Sequence, residues 1–305
     1  MTSNSNMIRT GTRRRFRIGN AALPYVLVLP TLLFVTVFTL LPTIRVFYDS
    51  LFIDNQATRT PMWTGTGNYN LLLNDFAFKD VLTNTFIYVV ITVPISIFLA
   101  LVLALVLNQK IRALGLYRLA FFYPTVLPMV SAATIWLFMY TPGYGLFNVF
   151  IGLFGIPSQN WLGSAKLALT ALMILGVWKQ TGYFMIFYLA GLQGLPHEIF
   201  EAADLDGAST VQKTRFLTIP LLMGTTLFVT TIAVVNAFST VDQIYLMTGG
   251  GPVNSSSMLL FEIYNTLFKY LDAGKANAMS VILIAILFVF SALNFYFTER
   301  RATYE

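Results

Sequence analysis

Long apolar runs recur along this chain, and they constrain its fold more than any other feature. They cover about 21–44, 81–107, 119–140, 167–191, 217–240 and 276–298. A bilayer hydrocarbon core about 30 Å thick is crossed by a helix of roughly 20 apolar residues. Inside lipid every backbone polar group must be paired within the protein, which a helix does by itself. The runs therefore predict an all-α polytopic membrane protein with six transmembrane helices. Composition agrees. Hydrophobic residues make up 56% of the chain and charged residues only 10%, against roughly 25% charged in soluble domains. Prolines stand in or beside several runs (Pro24, Pro30, Pro94, Pro124, Pro128). Neighbouring helices can satisfy the carbonyls that such breaks release.

Charge placement predicts the orientation. Arg9, Arg13, Arg14, Arg15 and Arg17 precede the first run. Lys110, Arg112 and Arg118 lie between the second and third runs. Lys213 and Arg215 lie between the fourth and fifth, and Arg300 and Arg301 follow the sixth. The opposite loops, 45–80, 141–165 and 241–275, hold fewer: Arg45, Arg59, Lys79, Lys269 and Lys275. The positive-inside rule then predicts cytoplasmic N- and C-termini. It gives a basic arm at 1–20, a six-span domain at 21–298 and a cytoplasmic tail at 299–305. The net charge of +6 reads as a topological anchor, not a nucleic-acid surface. The first run is too long for the core of a cleaved leader and has no small-residue cleavage site after it, so it reads as a retained span.

Several kinds of chemistry are excluded. There is no cysteine, so neither disulfides nor thiolate metal sites are expected. The single histidine, His197, rules out a histidine-based metal cluster and faces no acid or nucleophile cluster, which argues against an enzyme. No GxxxxGK[ST] phosphate loop is present. If transport is driven by ATP, the ATPase is another chain.

The longer cytoplasmic loop reads LPHEIFEAADLDGASTVQKTRFLTIP over 195–220. Pro196 suits a first helical position. Glu198 and Glu201 fall in the first turns, where the helix dipole favours carboxylates. Ile199, Phe200, Ala203 and Leu205 are expected to form a short apolar face. Gly207 is placed as a helix terminator, and Ser209 as the cap of a second helix containing Lys213 and Arg215. Pro220 opens the fifth span. Physically this is either an amphipathic connector with solvated acids or a short surface helix that packs into something else, since two turns are marginal alone.

The string EAADLDGAST followed by Pro220 resembles the EAA loop of the permease subunits of binding-protein-dependent ABC importers. Glu201, Ala202, Ala203, Asp206, Gly207, Ala208 and Pro220 match that pattern in residue and spacing. Thr214 departs from it, standing where an aromatic is usual. Gly67-Asn68-Tyr69, Trp178-Lys179, Leu192 to Pro196 and Leu246 to Pro252 resemble the carbohydrate and glycerol-3-phosphate branch, a maltose-permease-like superfamily. The resemblance implies the type I ABC importer permease fold and a place in the bacterial inner membrane. It implies a second homologous permease, two copies of an ATP-binding subunit that carry the ATP and magnesium, and an extracytoplasmic solute-binding protein. It implies no cofactor in this chain. Glu198, Glu201, Ala202, Ala203, Asp206, Gly207 and Ala208 become the expected coupling element toward the ATPase.

The expected solute path consists of intramembrane polar residues. One cluster is Trp178, Lys179, Gln180 and Tyr183 in the fourth run. Lys179 reads either as an ionic contact to a phosphate or as a structural pair or snorkelling chain. A second cluster, Asn236, Ser239, Asp242 and Gln243, stands about one turn apart at the outer end of the fifth run and reads as cavity lining or as helix–helix hydrogen bonding. The run Gly249-Gly250-Gly251-Pro252 predicts an irregular outer loop near the gate. The alternative function is a stand-alone secondary transporter or channel for a small polar solute. It lacks the mid-span acids needed for ion coupling and shows no internal repeat.

Overall fold

The computed structural model describes residues 18–54, 60–109 and 112–299. Arg9, Arg13, Arg14, Arg15, Arg17, Arg59, Lys110, Arg300 and Arg301 lie outside these. The chain forms two compact units, one ending at Tyr48 and one beginning at Asp49.

In the leading unit, α1 (Ile18–Val35) runs through a π-helical segment, Thr36–Leu40, into α2 (Leu41–Asp49). The Leu41 N–H bonds to the Thr36 carbonyl, five residues back, which marks an inserted residue in the helix. Pro24 and Pro30 sit inside α1 without ending it.

The second unit starts with a small antiparallel sheet, β1 (Phe52–Asp54) on β2 (Pro61–Trp63), in the register Phe52 to Trp63. Next comes α3 (Gly67–Asn74). Buried Asn68 joins α3 to the sheet by donating to the Ser50 and Phe52 carbonyls at 2.8 and 2.7 Å. Asp75 caps α4 (Phe76–Leu107) by accepting from the Ala77 N–H. Its 32 residues extend about 48 Å, and the helix begins before the expected 81.

The third apolar run is not one straight helix. It folds as α5 (Leu114–Val126) and α6 (Met129–Met139), bent by 100°. Pro128 explains the break, because a residue before proline is driven out of the helical region, and Leu127 is extended at ψ 132°. A short α7 (Leu146–Gly152) follows, then α8 (Ala168–Gln193). The 195–220 loop holds α9 (His197–Leu205) and α10 (Thr210–Lys213). A π segment, Thr214–Thr218, and α11 (Ile219–Leu221) lead into α12 (Met223–Phe238). The run Gly249–Pro252 expected to be irregular lies between α13 (Asp242–Met247) and α14 (Leu259–Phe268), outside both helices, and α15 (Ala273–Glu299) ends the described chain. Leu259, Ile263 and Thr266 of α14 are buried at spacings of four and three, a helical period that the sequence carried.

Helices α4 and α8 make the central pair, with α5 and α12 packed against them. Small residues set the distances. A Cβ on Gly182 of α8 would overlap the Phe121 carbonyl oxygen of α5, and one on Gly176 would overlap the Tyr88 hydroxyl of α4. The main core joins Val93, Trp136, Leu172, Phe184, Tyr188, Val229 and Phe238. Buried threonines in the helices donate to carbonyls four residues back, as Thr85 does to Val81 and Thr92 to Tyr88, so these hydroxyls need no other acceptor. The outward faces carry large apolar side chains such as Val90, Phe98, Phe288 and Leu293, the surface a bilayer covers.

Candidate functional site

A cavity of about 220 Å³ opens among α4, α8, α12 and α13. Tyr88, Met129, Gly176, Gln180, Asn236, Ser239, Thr240, Val241, Asp242 and Gln243 line it. Most of these side chains are polar, in a chain otherwise dominated by aliphatic and aromatic groups. Helix α12 stops at Ser239, whose N–H bonds to the Val235 and Asn236 carbonyls, and the chain restarts as a helix only at Asp242. The expected single helix face through 236, 239 and 243 is therefore interrupted. Even so, the break turns Asn236, Ser239, Asp242 and Gln243 toward the same space.

Two amides organise the cavity. The fully buried Gln243 donates from Nε2 to the Tyr88 hydroxyl at 2.8 Å. Its Oε1 has no protein partner. Asn236 Nδ2 points at Gln180 Oε1 at 3.4 Å, a long contact. Beneath them, Ser96 is buried with an unpaired Oγ beside a small void shared by Tyr88, Gly176 and Gln180. An unpaired buried polar atom costs about 1–3 kcal/mol, so Gln243 Oε1 and Ser96 Oγ each gain from any polar partner, water included.

The fourth-run cluster separates. Gln180 lines the cavity. Lys179 does not, because its Nζ donates to the Pro124 and Leu127 carbonyls at 3.0 and 2.5 Å. These carbonyls belong to the broken end of α5, where the last turn has no intrahelical donors and the dipole favours a cation. Trp178 packs in an aromatic group, tilted against Trp136 with 5.4 Å between centroids. Tyr183 packs against Phe184 and Phe187. Tyr88 was missed among the sequence candidates. Its signal was present as a polar stripe, Thr85, Tyr88, Thr92 and Ser96, recurring every three or four residues in an apolar helix.

The 195–220 loop is shaped by a proline, a glycine turn and a capping box. Pro196 takes the N-cap of α9 with extended ψ of 124°, one position before the expected first helical site. There its carbonyl serves the helix and its missing N–H costs nothing. Glu198 lies in the first turn, and Glu201 lies further along. Gly207 adopts φ +75°, and the Ala208 N–H reaches back to the Ala203 carbonyl while the Gly207 N–H reaches Asp204. That pair of bonds closes a helix end on a left-handed residue. Ser209 and Gln212 form a reciprocal capping box at the start of α10. Lys213 pairs with Asp204 across the turn, which fixes α10 against α9. Glu198, Glu201, Ala202, Asp206 and Gly207 are exposed, and Ala203 and Ala208 are half-buried. Leu205 and Val211 are exposed too, at 90% and 75%. The result is a stiff surface hairpin of helices with acids and apolar side chains facing outward.

At the start of α4, Asp75 pairs with Lys275 at 3.1 Å. Burial works to raise the Asp75 carboxyl, but the Lys275 hydrogen bond and charge and the Ala77 and Phe78 N–H groups outweigh it and hold the carboxyl below its ordinary range. No cluster of metal-ligating side chains exists among the described residues.

Comparison with known proteins places these features. Residues 62–303 match the family model described as "Binding-protein-dependent transport system inner membrane component". The chain is 32% identical over 286 residues to the sn-glycerol-3-phosphate transport system permease protein UgpA of Agrobacterium fabrum, covering 93% of this chain and 97% of that one. It is 33% identical over 282 residues to the trehalose/maltose transport system permease protein MalF of Thermococcus litoralis, covering 91% and 94%. Among solved structures, a chain of a bacterial ABC transporter that imports the acidic polysaccharide alginate superposes with a TM-score of 0.80 at 19% identity, covering 94% of this chain and 98% of that one. With a family match across most of its length and relatives aligned nearly end to end, the chain belongs to the multi-pass inner membrane permeases of binding-protein-dependent ABC importers.

Proposed function

We propose that this chain forms one half of the translocation pathway of an ATP-driven importer for a sugar or glycerol-phosphate-type solute, the classes in the names of its relatives. The basic arm at 1–20 and the tail at 299–305 lie in the cytoplasm, with the permease domain at 21–298 between them. A second, homologous permease completes the pathway. Two ATP-binding subunits hold ATP and magnesium, and an external binding protein delivers the solute. The observation that carries this reading is the 195–220 loop. Its first helix is closed at its C-terminus by the turn at Gly207 and tied by the Lys213–Asp204 pair to a second helix that starts with the Ser209–Gln212 capping box, yet presents exposed Glu201, Ala202, Leu205 and Asp206. Such a helix can transmit force from a partner without bending. Glu198, Glu201, Ala202, Ala203, Asp206, Gly207 and Ala208 make up the ATPase-facing element. Gln180, Asn236, Ser239, Asp242 and Gln243 line the solute path, which is opened to each side in turn by near-rigid movements of the helices around it.

ATP-driven uptake by the complete importer tests the coupling role. Glu201→Lys reverses a charge on the exposed face, and Gly207→Pro forbids the left-handed turn. Both are expected to lower uptake strongly while immunoblots show normal amounts of the protein in the membrane. Normal uptake in both variants refutes the assignment.

A further inference from the structure

Helix α7 (Leu146–Gly152) stands between the end of α6 and the start of α8 and takes no part in the cavity or the 195–220 loop. Leu146, Val149, Phe150, Leu153 and Phe154 recur there at spacings of three, one, three and one, which puts them on one side of the helix and its closing turn. Each is exposed by more than half. The other side is fastened down. Asn148 is buried, donates to the Thr141 and Gln159 carbonyls at 3.1 and 3.0 Å, and accepts from the Gln159 N–H and the Trp161 indole. Phe147 stacks on Tyr140 with 4.8 Å between centroids. Gly145 permits the tight entry, because a Cβ there would overlap the Met139 and Thr141 carbonyl oxygens. The helix is thus held in one orientation with an apolar face outward, and a contiguous apolar patch marks an interaction site.

We propose that the bilayer itself covers this face. Helix α7 lies along the boundary of headgroups and acyl chains, with its apolar side chains sunk about 5–10 Å. Helix α8 begins after α7 and ends at the 195–220 loop, so α7 beds in the leaflet on the opposite side of the membrane from that loop. Three observations favour lipid over a protein partner. The first is continuity. Tyr144, at the entry to α7, packs against Phe138 with 6.1 Å between centroids. Phe138 and Ile135 are exposed on α6, in the third apolar run, so the face extends the flank of a span. The second is chemistry. No charged residue occurs in 141–165. Protein interfaces carry about one hydrogen bond per 100–200 Å², and the five side chains of this face offer no group for one. Nearby Ser158 accepts from the Gly143 N–H, and Gln159 donates to the Pro157 carbonyl, both within the loop. The third is the backbone. Gly155 adopts φ +74°, its N–H reaches the Gly152 carbonyl, and the Ile156 N–H reaches the Ile151 carbonyl. That closure pairs carbonyls at the helix end, as an acyl environment requires.

The chain has no cysteine, so single spin labels can be placed in it. The test uses the complete importer, its other chains freed of cysteine, in nanodiscs of phosphatidylcholine. Labels at Phe150→Cys and Leu153→Cys are compared with one at Phe98→Cys on the lipid-covered side of α4. Collisions with dissolved oxygen are expected to exceed those with a water-soluble nickel chelate severalfold at all three positions. The same ratios are expected when phosphatidylglycerol is added, because the face carries no charge. Collisions mainly with the chelate at 150 and 153 overturn the proposal, since the face is then in water. Collisions with neither overturn it too, since protein then covers the face, and so does burial that appears only with the anionic lipid. A benzophenone-bearing phenylalanine at Phe154 keeps an aromatic ring there and tests the same point in whole membranes if a cysteine disturbs assembly. Lipid adducts are expected, and a cross-link to another protein chain overturns the proposal.

Discussion

Replacing Lys179 by methionine separates a residue that touches solute from one that holds the fold. The methionine keeps the apolar stem and removes the ammonium. Two hydrogen bonds disappear, from Nζ to the Pro124 and Leu127 carbonyls. A bond from a charged donor contributes about 1.5–3 kcal/mol, and a buried acceptor left without a partner costs about 1–3 kcal/mol. Two effects pull the other way. Lys179 is half-buried, so some water can reach the freed carbonyls, and removing the ammonium also removes the cost of having desolvated it. The net loss is expected at about 1–3 kcal/mol, at the low end of the gross sum. At roughly 2–4 °C per kcal/mol for a chain of this size, the thermal midpoint of the detergent-solubilised protein falls by several degrees. Lys179→Arg, which keeps a cation on a long stem, is expected to recover most of the loss. Uptake falls in Lys179→Met in proportion to the amount of folded protein, while solute affinity of the external binding protein is unaffected. An unchanged midpoint together with abolished uptake refutes the structural reading and returns Lys179 to the solute path.

Two further outcomes follow from close geometry. Gly182→Ala is expected to lower the midpoint by about 1–3 kcal/mol equivalent through overpacking, because a Cβ there meets the Phe121 carbonyl oxygen, whereas Gly115→Ala, with open space around it, is expected to be neutral in the same melting experiment. The Asp75–Lys275 pair predicts acid sensitivity. The Asp75 carboxyl is held below its ordinary range, so its stabilising contribution is complete above the unfolded value of about 3.9 and is lost as pH falls through the lower folded value. A pH series of thermal midpoints from neutral to strongly acidic is expected to show a shallower acid decline in Asp75→Asn than in the parent, and identical curves would refute the linkage.

The amount of the molecule that could be read from its sequence depended on how local each cause was. The apolar runs gave the helices of the bundle, because length against bilayer thickness is a property of one segment. The caps at Gly207 and Ser209 were readable for the same reason, since each is decided by residues within four positions. Pro196 was displaced by one site, a small error in a local rule. The bend in the third run was harder. Pro128 was visible, but whether a proline kinks a span or turns it through 100° depends on what receives the released carbonyls, and the receiver, Lys179, lies far along the chain. The same non-locality hid the function of the fourth-run cluster. Trp178, Lys179, Gln180 and Tyr183 look alike in sequence as polar or aromatic groups at mid-depth, and only packing assigns Gln180 to the cavity and the other three to the scaffold. Tyr88 was overlooked because an aromatic in an apolar helix is ordinarily packing. The threonine and serine stripe beside it was the available sign.

Helix α8 has a mechanical consequence. It is 26 residues long, about 39 Å at the helical rise, and only Gly194, Leu195 and Pro196 separate it from α9. Along its length it is fastened to α5 by Lys179 and by the contact at Gly182, and to α4 by the fit of Tyr88 against Gly176. Gln180 sits about 20 Å from the end that leads into α9. A rod so short-coupled to the surface hairpin behaves as a lever with its fulcrum in the bundle. A sideways displacement of α9 arrives at Gln180 as a tilt, and α5 swings with it. In the proposed importer, the helix that carries a wall of the cavity is also the arm through which a displacement of the surface hairpin reaches that wall.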